Sequence, residues 1–183
     1  MNDNSEPMHF VCTREEAKTI IENQSSFWIA NCGCREGNPN KCHQSRHDVC
    51  LWFESANESG FTGVKEVSKE EAFDLLKVAE SCHLVTRPFR SESGKEGIGG
   101  ICFCCQDCCC YFKNKEEICD KGKLIQQTDL TSCTGCGECT DVCFFGAREI
   151  VDNELKVHEN NCYGCGLCAD ICPDIITMIP VKK

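Results

Sequence analysis

Eight cysteines in the last third of the chain occur as two runs with the same spacing, C-x2-C-x2-C-x3-C. The first run is Cys133, Cys136, Cys139 and Cys143, and the second is Cys162, Cys165, Cys168 and Cys172. Every member of the first run recurs 29 residues later, which indicates a duplicated unit. Three thiolates at this spacing can bind three corners of one iron–sulfur cube. Zinc usually takes two cysteine pairs separated by a loop, so the repeat predicts two 4Fe–4S clusters.

Glycines inside the two runs support the same interpretation. They are Gly135 and Gly137 in the first run and Gly164 and Gly166 in the second. A chain that turns tightly around inorganic sulfide needs residues without a side chain. Close approach also lets backbone N–H groups point at the sulfurs and stabilise their negative charge. The fourth cysteine of such a run lies too far along the chain to close the same cube, and it usually reaches the other cluster.

Residues from about 124 to 180 resemble the bacterial ferredoxins that carry two 4Fe–4S clusters. The two cysteine runs and Pro173, directly after the last cysteine, carry the resemblance, whereas Phe144 stands where that family usually has a second proline. The segment 149–157 is expected to form the hairpin that links the two halves in the family. The resemblance implies one cluster held by Cys133, Cys136, Cys139 and Cys172, and another held by Cys162, Cys165, Cys168 and Cys143.

Thirteen further cysteines precede this repeat, and ten of them form two groups. The first group predicts one metal site, because a strand end, a loop and a helix start can converge on it; its members are Cys32, Cys34, Cys42 and Cys50. The second group runs from Cys102 to Cys110 and predicts a further site, or completes the first, through Cys104, Cys105, Cys108 and Cys109. One or two additional iron–sulfur clusters are expected, and zinc is the alternative.

Three other features of this region bear on its metal chemistry. Arg35 follows Cys34 and would offset part of the negative charge of a cluster. His43 and His47 lie among the cysteines and could replace a thiolate, which raises the potential of a cluster. The adjacent cysteines of the second group cannot all bind one ordinary cube, which leaves a cluster with unusual ligation as an alternative there.

Capping boxes predict two helices before the repeat. Thr13 with Glu16 opens a helix that extends to about residue 24, and Ser68 with Glu71 opens another that extends to about Cys82. Apolar patterns predict three further elements: a short strand at 27–30, a helix capped by Asp48 and passing through 49–53, and a strand at 83–86 that Pro88 stops.

These elements predict an α+β protein with two domains. A small cysteine-rich α/β domain would cover residues 1–120, and a pseudo-twofold ferredoxin-like domain of short hairpins and helices would cover 124–183. The first domain resembles a cysteine-rich module that precedes ferredoxin domains in poorly characterised proteins of anaerobes. The resemblance rests on CGCR at 32–35, KEEAFDLLKVAE at 69–80 and ICFCCQDCCC at 101–110, and it brings no assigned reaction.

Charge and hydropathy limit the partners and the cellular locations that the sequence is compatible with. The formal net charge is −10, which argues against nucleic acid and favours a redox partner with a basic docking patch. The polar N-terminus has no signal-peptide core, and no apolar stretch approaches the length needed for membrane insertion. A cytoplasmic location is therefore expected, where thiols stay reduced and are free to bind metal.

The cysteine pattern predicts an iron–sulfur protein that transfers electrons through several clusters. It would act as a ferredoxin-like carrier, or as the electron-entry subunit of a reductase in anaerobic metabolism, rather than as an enzyme itself. The alternative is a small reductase or reductive activator with a reactive N-terminal cluster. A redox sensor acting on DNA would need a basic patch or a helix-turn-helix motif, and the sequence contains neither.

Overall fold

The computed structural model describes residues 7–38, 42–55, 60–91, 97–114 and 118–181. The polar, glycine-rich stretch 91–100, which the sequence predicts to be a loop, and the charged segment 113–123, which it predicts to connect the two domains, fall partly outside these residues. Helices and strands are mixed along the chain, which confirms the α+β class.

The strands are β1 (His9–Phe10), β2 (Trp28–Ala30), β3 (Cys50–Trp52), β4 (Lys65–Glu66), β5 (Val85–Arg90), β6 (Ile98–Cys104), β7 (Cys119–Asp120), β8 (Leu124–Thr128), β9 (Arg148–Val151), β10 (Glu154–Val157) and β11 (Ile176–Pro180). The helices are α1 (Arg14–Glu22), α2 (Gly33–Glu36), α3 (Lys69–Ser81), α4 (Cys110–Lys113), α5 (Glu138–Asp141) and α6 (Leu167–Ile171). A 3-10 turn covers Glu159–Asn161.

Seven strands form one sheet in the order β4-β2-β3-β6-β5-β1-β7, and its two faces are chemically different. One face is apolar and packs against α1 and α3 through residues such as Leu51 and Ile101. Side chains directly opposite each other on paired strands share a face. The opposite face therefore carries Cys50, Cys102 and Arg87, which are cross-strand neighbours in one line. The sheet thus has an apolar core on one face and the line of Cys50, Cys102 and Arg87 on the other.

Both predicted capping boxes are present. The Thr13 and Ser68 hydroxyls accept hydrogen bonds from the amides of Glu16 and Glu71, whose carboxylates accept from the cap amides in return. The helices end at Glu22 and Ser81, close to the predicted ends.

The helix predicted after Asp48 is wrong, because this segment is the inner strand β3. Val49, Leu51 and Phe53 alternate with residues on the other face, so their buried side chains follow the period of a strand. The segment is too short for this period to be distinguished from that of a helix without its partners β2 and β6.

Pro88 does not stop the strand as predicted, since β5 continues to Arg90. The backbone groups of Thr86 and Arg90 bond to residues at the β1 side of the sheet, through Cys12 and Met8. Pro88 has the same alternation, so its missing N–H falls on that side and leaves the pairing with β6 intact.

The strands after residue 123 form two separate two-stranded sheets, β8 with β11 and β9 with β10. The predicted hairpin at 149–157 is present, and its turn places Asp152 and Asn153 at φ 51° and 63°. The predicted boundary at 120–124 falls between the large sheet and these small ones, yet the two halves share an apolar cluster. Its buried members are Val11, Val85, Cys104, Cys109, Cys119, Val142 and Leu167.

A side-chain ion pair also joins the halves, since Arg14 at the start of α1 bonds Asp170 in α6. In the described part of the chain, no helix has the length and apolar character required to cross a lipid bilayer.

Candidate metal centres

The first-repeat cavity collects four thiols, three from the first cysteine run and one from the second. Cys133 and Cys136 come from the loop before α5, Cys139 lies in the first turn of α5, and Cys172 directly follows α6. Burial raises the pKa of Cys172 above that of an exposed thiol, and the neighbouring thiols add to the effect. All four members of this predicted set therefore line one cavity.

The second-repeat cavity has the reciprocal arrangement, with three thiols from the second cysteine run and one from the first. Cys162 and Cys165 come from the loop before α6, Cys168 lies in the first turn of α6, and Cys143 follows α5. Burial raises the pKa of Cys168 to about 11, although the guanidinium of Arg148 acts against it. A thiol with a pKa this high stays protonated at neutral pH unless a metal ion binds its thiolate form.

The backbone around these cavities has the close approach that a cluster-binding loop requires. Gly164 lies at φ +77°, and a Cβ atom there would stand 2.2 Å from the carbonyl oxygen of Leu124. Gly135 lies at φ +71°, where a Cβ atom would stand 3.2 Å from the carbonyl oxygen of Asn153. These positions admit only glycine without a shift of the backbone. The thiol sets and their loops thus fit iron–sulfur clusters.

Arg148 separates the two cavities and contacts a thiol of each. Its Nε donates to Cys139 Sγ at 3.3 Å, and its Nη1 lies 3.8 Å from Cys168 Sγ. Gln126 and Thr128 accept hydrogen bonds from the same guanidinium at 2.8 and 2.9 Å, which fixes its orientation. The side chain is 4 % exposed, so its charge acts on both sites with little screening by water. Sequence reasoning missed this residue, because its position after Ala147 does not reveal that it is buried.

In the first half of the chain, thiols surround a cavity of about 370 Å3 above the polar face of the sheet, here called the thiol cavity. Three thiols come from the sheet strands, two from the loop and helix after β2, and four from the segment after β6. They are Cys32, Cys34, Cys50, Cys102, Cys104, Cys105, Cys108, Cys109 and Cys110. Cys102 and Cys110 were not among the predicted ligands. Strand alternation could have identified Cys102 as a ligand, because residues two apart on a strand point to the same face and Cys102 is two residues before Cys104.

Thiol contacts within this cavity form a continuous chain. Cys32 interacts with both Cys34 and Cys50, and Cys50 also interacts with Cys102. Cys34 Sγ in turn lies 3.4 Å from Cys110 Sγ. The interaction with Cys34 is the largest influence on Cys32 and raises its pKa to about 12.

The structure divides the predicted first group. Cys32, Cys34 and Cys50 meet at the thiol cavity, but Cys42 lies outside its lining. The sulfur of Cys42 is instead grouped with those of Cys105 and Cys108, all within 4.8 Å of one another.

The predicted second group is divided in the same way. Cys104 and Cys109 interact with each other beside Arg87, whereas Cys105 and Cys108 also face Cys42. Cys104 is the last residue of β6, whereas Cys105 and Cys108 lie in the segment between β6 and α4.

Two buried guanidinium groups lie against these thiols. Arg87 Nη1 is 3.7 Å from Cys104 Sγ and 3.4 Å from Cys109 Sγ. Arg35 is 1 % exposed and donates to the carbonyl oxygen of Phe103 at 3.1 Å. Its Nε and Nη1 make no hydrogen bond within the described residues. A buried cation is costly unless negative charge lies close by, so the region fits anionic metal–thiolate groups.

The histidines have different surroundings from those the sequence suggested. His43 and His47 are exposed. His9, which lies far from the cysteine groups in the sequence, places Nε2 4.0 Å from Cys102 Sγ. Outside the two groups, Cys12 and Cys119 are buried and Cys82 is partly buried.

An aromatic layer lies between the thiol cavity and the second-repeat cavity. The Arg87 guanidinium stacks on Tyr111, with 4.2 Å between Cζ and the ring centroid. Tyr111 contacts Tyr163, which stacks on Phe145 at 4.4 Å and an interplanar angle of 10°. Phe145 and Tyr163 line the second-repeat cavity. Phe144, at the position where the resemblance expects proline, packs against Phe112 at 5.9 Å.

Comparison with known proteins agrees with this geometry for the second half. Residues 132–175 match the family of 4Fe-4S dicluster domains, and the match contains all eight cysteines of the repeat. No curated protein and no solved structure matches the chain. The chain therefore contains a ferredoxin-type module for 4Fe–4S clusters, which supports an iron–sulfur electron-transfer protein.

Proposed function

We propose that this protein is a ferredoxin-like electron carrier, or the electron-entry subunit of a reductase, with at least three iron–sulfur clusters. Two would be 4Fe–4S clusters in the repeat cavities, held by the two quartets described above, and at least one more would occupy the thiol cavity. The observation that carries the proposal is the two four-cysteine cavities on either side of Arg148.

The positions of the cavities give an order for electron transfer. A bound 4Fe–4S cluster supplies one-electron chemistry at low potential. Arg148 lies between the two repeat cavities, and the aromatic layer lies between the second-repeat cavity and the thiol cavity. The second-repeat cavity is thus central, and the first-repeat cavity and the thiol cavity are the two ends of the path.

The charge of the chain indicates how a partner would dock. A net charge of −10 favours a redox partner with a basic patch. Electrostatic docking weakens as salt screens the charges. The rate of electron exchange with the partner should therefore fall as ionic strength rises from about 0.01 to about 0.5 M, where the Debye length shortens from about 30 Å to a few Å.

Anaerobic purification of the full-length chain, with iron, sulfide and zinc analysis and EPR of the reduced protein, tests the proposal. We expect more than eight irons per chain, since two 4Fe–4S clusters account for eight, and a spectrum of spin-coupled clusters. Cys139→Ser and Cys168→Ser should each disturb one repeat cluster, whereas Cys82→Ser, outside both groups, should leave the spectrum unchanged. Protein that contains zinc but no sulfide would contradict the assignment.

A second function, that of a small reductase or reductive activator, is favoured by one observation. The thiol cavity has more thiols than one cube needs, and Cys110 on its edge is exposed. Cyanide or a small thiol should leave the EPR signals unchanged in a pure carrier, because fully ligated clusters have no free position. A shifted signal that Cys32→Ser abolishes would instead favour the reductase.

A further inference from the structure

We propose that Cys42, Cys105 and Cys108 form a mononuclear zinc site that is separate from every iron–sulfur cluster of the protein. The zinc site of this three-thiol group is not part of the proposed electron transfer, and it does not require a cluster in the thiol cavity.

Sulfur distances distinguish this group from the two repeat cavities. Cys42 Sγ and Cys105 Sγ are 3.6 Å apart, and the three sulfurs all lie within 4.8 Å of one another. Zinc binds thiolate sulfur at about 2.3 Å, so two thiolates of one tetrahedral zinc lie about 3.8 Å apart. Thiolates of a 4Fe–4S cube bind different irons and are therefore held further apart.

The repeat cavities provide an internal reference for this argument. Their eight cysteines are all among the described residues, and neither quartet contains three sulfurs within 4.8 Å. Across the described residues, the three-thiol group is the one set of potential ligands that meets this criterion. The same chain thus holds thiols at two spacings, a wide one in the repeat and a narrow one here.

The local backbone has features of a zinc half-site. Cys105 and Cys108 have the C-x2-C spacing found in structural zinc sites. The backbone N–H of Cys108 donates to the Cys105 sulfur, and those of Gln44 and Ser45 donate to the Cys42 sulfur. These hydrogen bonds stabilise thiolates and orient them, as second-shell donors do at metal sites.

Charge and burial also fit zinc. Cys105 and Cys108 are 1 % and 3 % exposed, and Asn38 Nδ2 donates to Cys108 Sγ at 3.0 Å. The guanidinium of Arg35 lies beside the thiols of Cys42 and Cys105. Three thiolates with one Zn2+ have a net charge of −1, which the buried Arg35 cation neutralises.

The three-thiol group leaves the fourth position of a tetrahedron to water. No fourth His, Cys, Asp or Glu ligand atom joins the group within the part of the chain described. The zinc would connect the loop between α2 and β3, which carries Cys42, to the turn after β6. It would thereby hold one wall of the thiol cavity, since Cys105 and Cys108 also line that cavity.

Metal analysis of the full-length, anaerobically purified protein and its variants tests the assignment. Cys42→Ser is the informative variant, because Cys42 lies outside the thiol cavity. We expect one zinc per chain in the unaltered protein, and a loss of about tenfold or more of zinc affinity in Cys42→Ser with iron and sulfide unchanged. Cys32→Ser should show the reverse, with reduced iron and retained zinc, and Cys82→Ser should retain both.

Cobalt substitution gives a second readout that does not depend on cluster content. Zinc-depleted protein should bind Co2+ with the visible absorption of a tetrahedral thiolate site, and Cys42→Ser should lose this absorption. The EPR signals of the repeat clusters check that each variant is folded. A Cys42→Ser protein that loses iron and keeps its zinc would overturn the proposal, as would unaltered protein that holds its iron but binds neither zinc nor Co2+. Failure of the proposed electron transfer would appear instead as missing iron and sulfide with zinc retained.

Discussion

In residues 124–181 each four-cysteine cavity takes three thiols from one loop and the helix turn that follows it, whereas the thiol cavity takes its thiols from paired strands, the segment after β2 and the segment after β6. Cys133, Cys136 and Cys139 are close because the chain turns tightly around them. Cys50 and Cys102 are neighbours because β3 and β6 pair in one register. The repeat sites therefore depend on loop conformation, and the thiol cavity depends on the sheet.

Both regions nevertheless place a buried arginine against their thiols. Arg148 contacts Cys139 and Cys168, and Arg87 contacts Cys104 and Cys109. Clusters and thiolates bring negative charge into the interior, and a guanidinium offsets it while donating hydrogen bonds to sulfur. The two regions thus differ in the backbone elements that carry their thiols, but both place a buried guanidinium beside the negative charge.

The largest expected effect comes from changing the loop backbone at Gly164. Gly164→Ala places a Cβ atom against the Leu124 carbonyl at a left-handed φ, which should cost about 3 kcal/mol or more of stability. The iron of the second-repeat cluster should be lost, while the zinc of the three-thiol group remains. Iron and zinc analysis together with thermal unfolding measures both effects.

Gly146→Ala is the matched control for this change. Gly146 also has a left-handed φ, +65°, but nothing lies within 4 Å of the added Cβ. It should cost about 1 kcal/mol and leave the metal content unchanged. If the two variants lose equal amounts of iron, the loop requires the left-handed backbone conformation at these glycines and not the close approach of Gly164 to Leu124.

An intermediate effect is expected from Arg148→Gln. Removing the buried cation disfavours the more negative, reduced clusters, so the reduction potentials of both repeat clusters should fall. A hydrogen bond to a charged group contributes about 1.5–3 kcal/mol, which corresponds to about 60–130 mV for one electron. Potentiometric EPR titration measures the change.

Arg46→Gln serves as the control, because Arg46 forms an exposed ion pair with Asp48. Its potentials should match those of the unaltered protein. A fall confined to one repeat cluster in Arg148→Gln would show that the guanidinium serves one cavity and not both.

The smallest effect concerns the contact between the two regions. Phe144→Ala removes the ring that packs on Phe112, and should lower stability by about 1–2 kcal/mol because the ring is only partly buried. If the halves unfold as one unit, a single thermal transition should shift to lower temperature. Leu130→Ala, at a residue that is 58 % exposed, should change stability by less than about 0.5 kcal/mol. Two separate transitions in either variant would contradict cooperative folding of the halves.

The sequence by itself determined the features that depend on residues close in the chain. The two capping boxes, the hairpin at 149–157 and the duplicated cysteine runs are all local, because spacing along the backbone decides which groups can meet. The sequence therefore predicts a cluster-binding module over about residues 124–183, and residues 132–175 match the family of 4Fe-4S dicluster domains.

Only the tertiary structure decided the features that depend on distant partners. The segment after Asp48 became a strand because β2 and β6 lie on either side of it, and Pro88 was tolerated because its missing N–H faces the β1 side. Sequence spacing grouped Cys42 with Cys50, but the end of β6 brought Cys105 and Cys108 to Cys42 instead. Neither sheet register nor the direction in which a chain turns is encoded in residue spacing. The number of thiols in the first half therefore follows from the sequence, but which of them form one site does not.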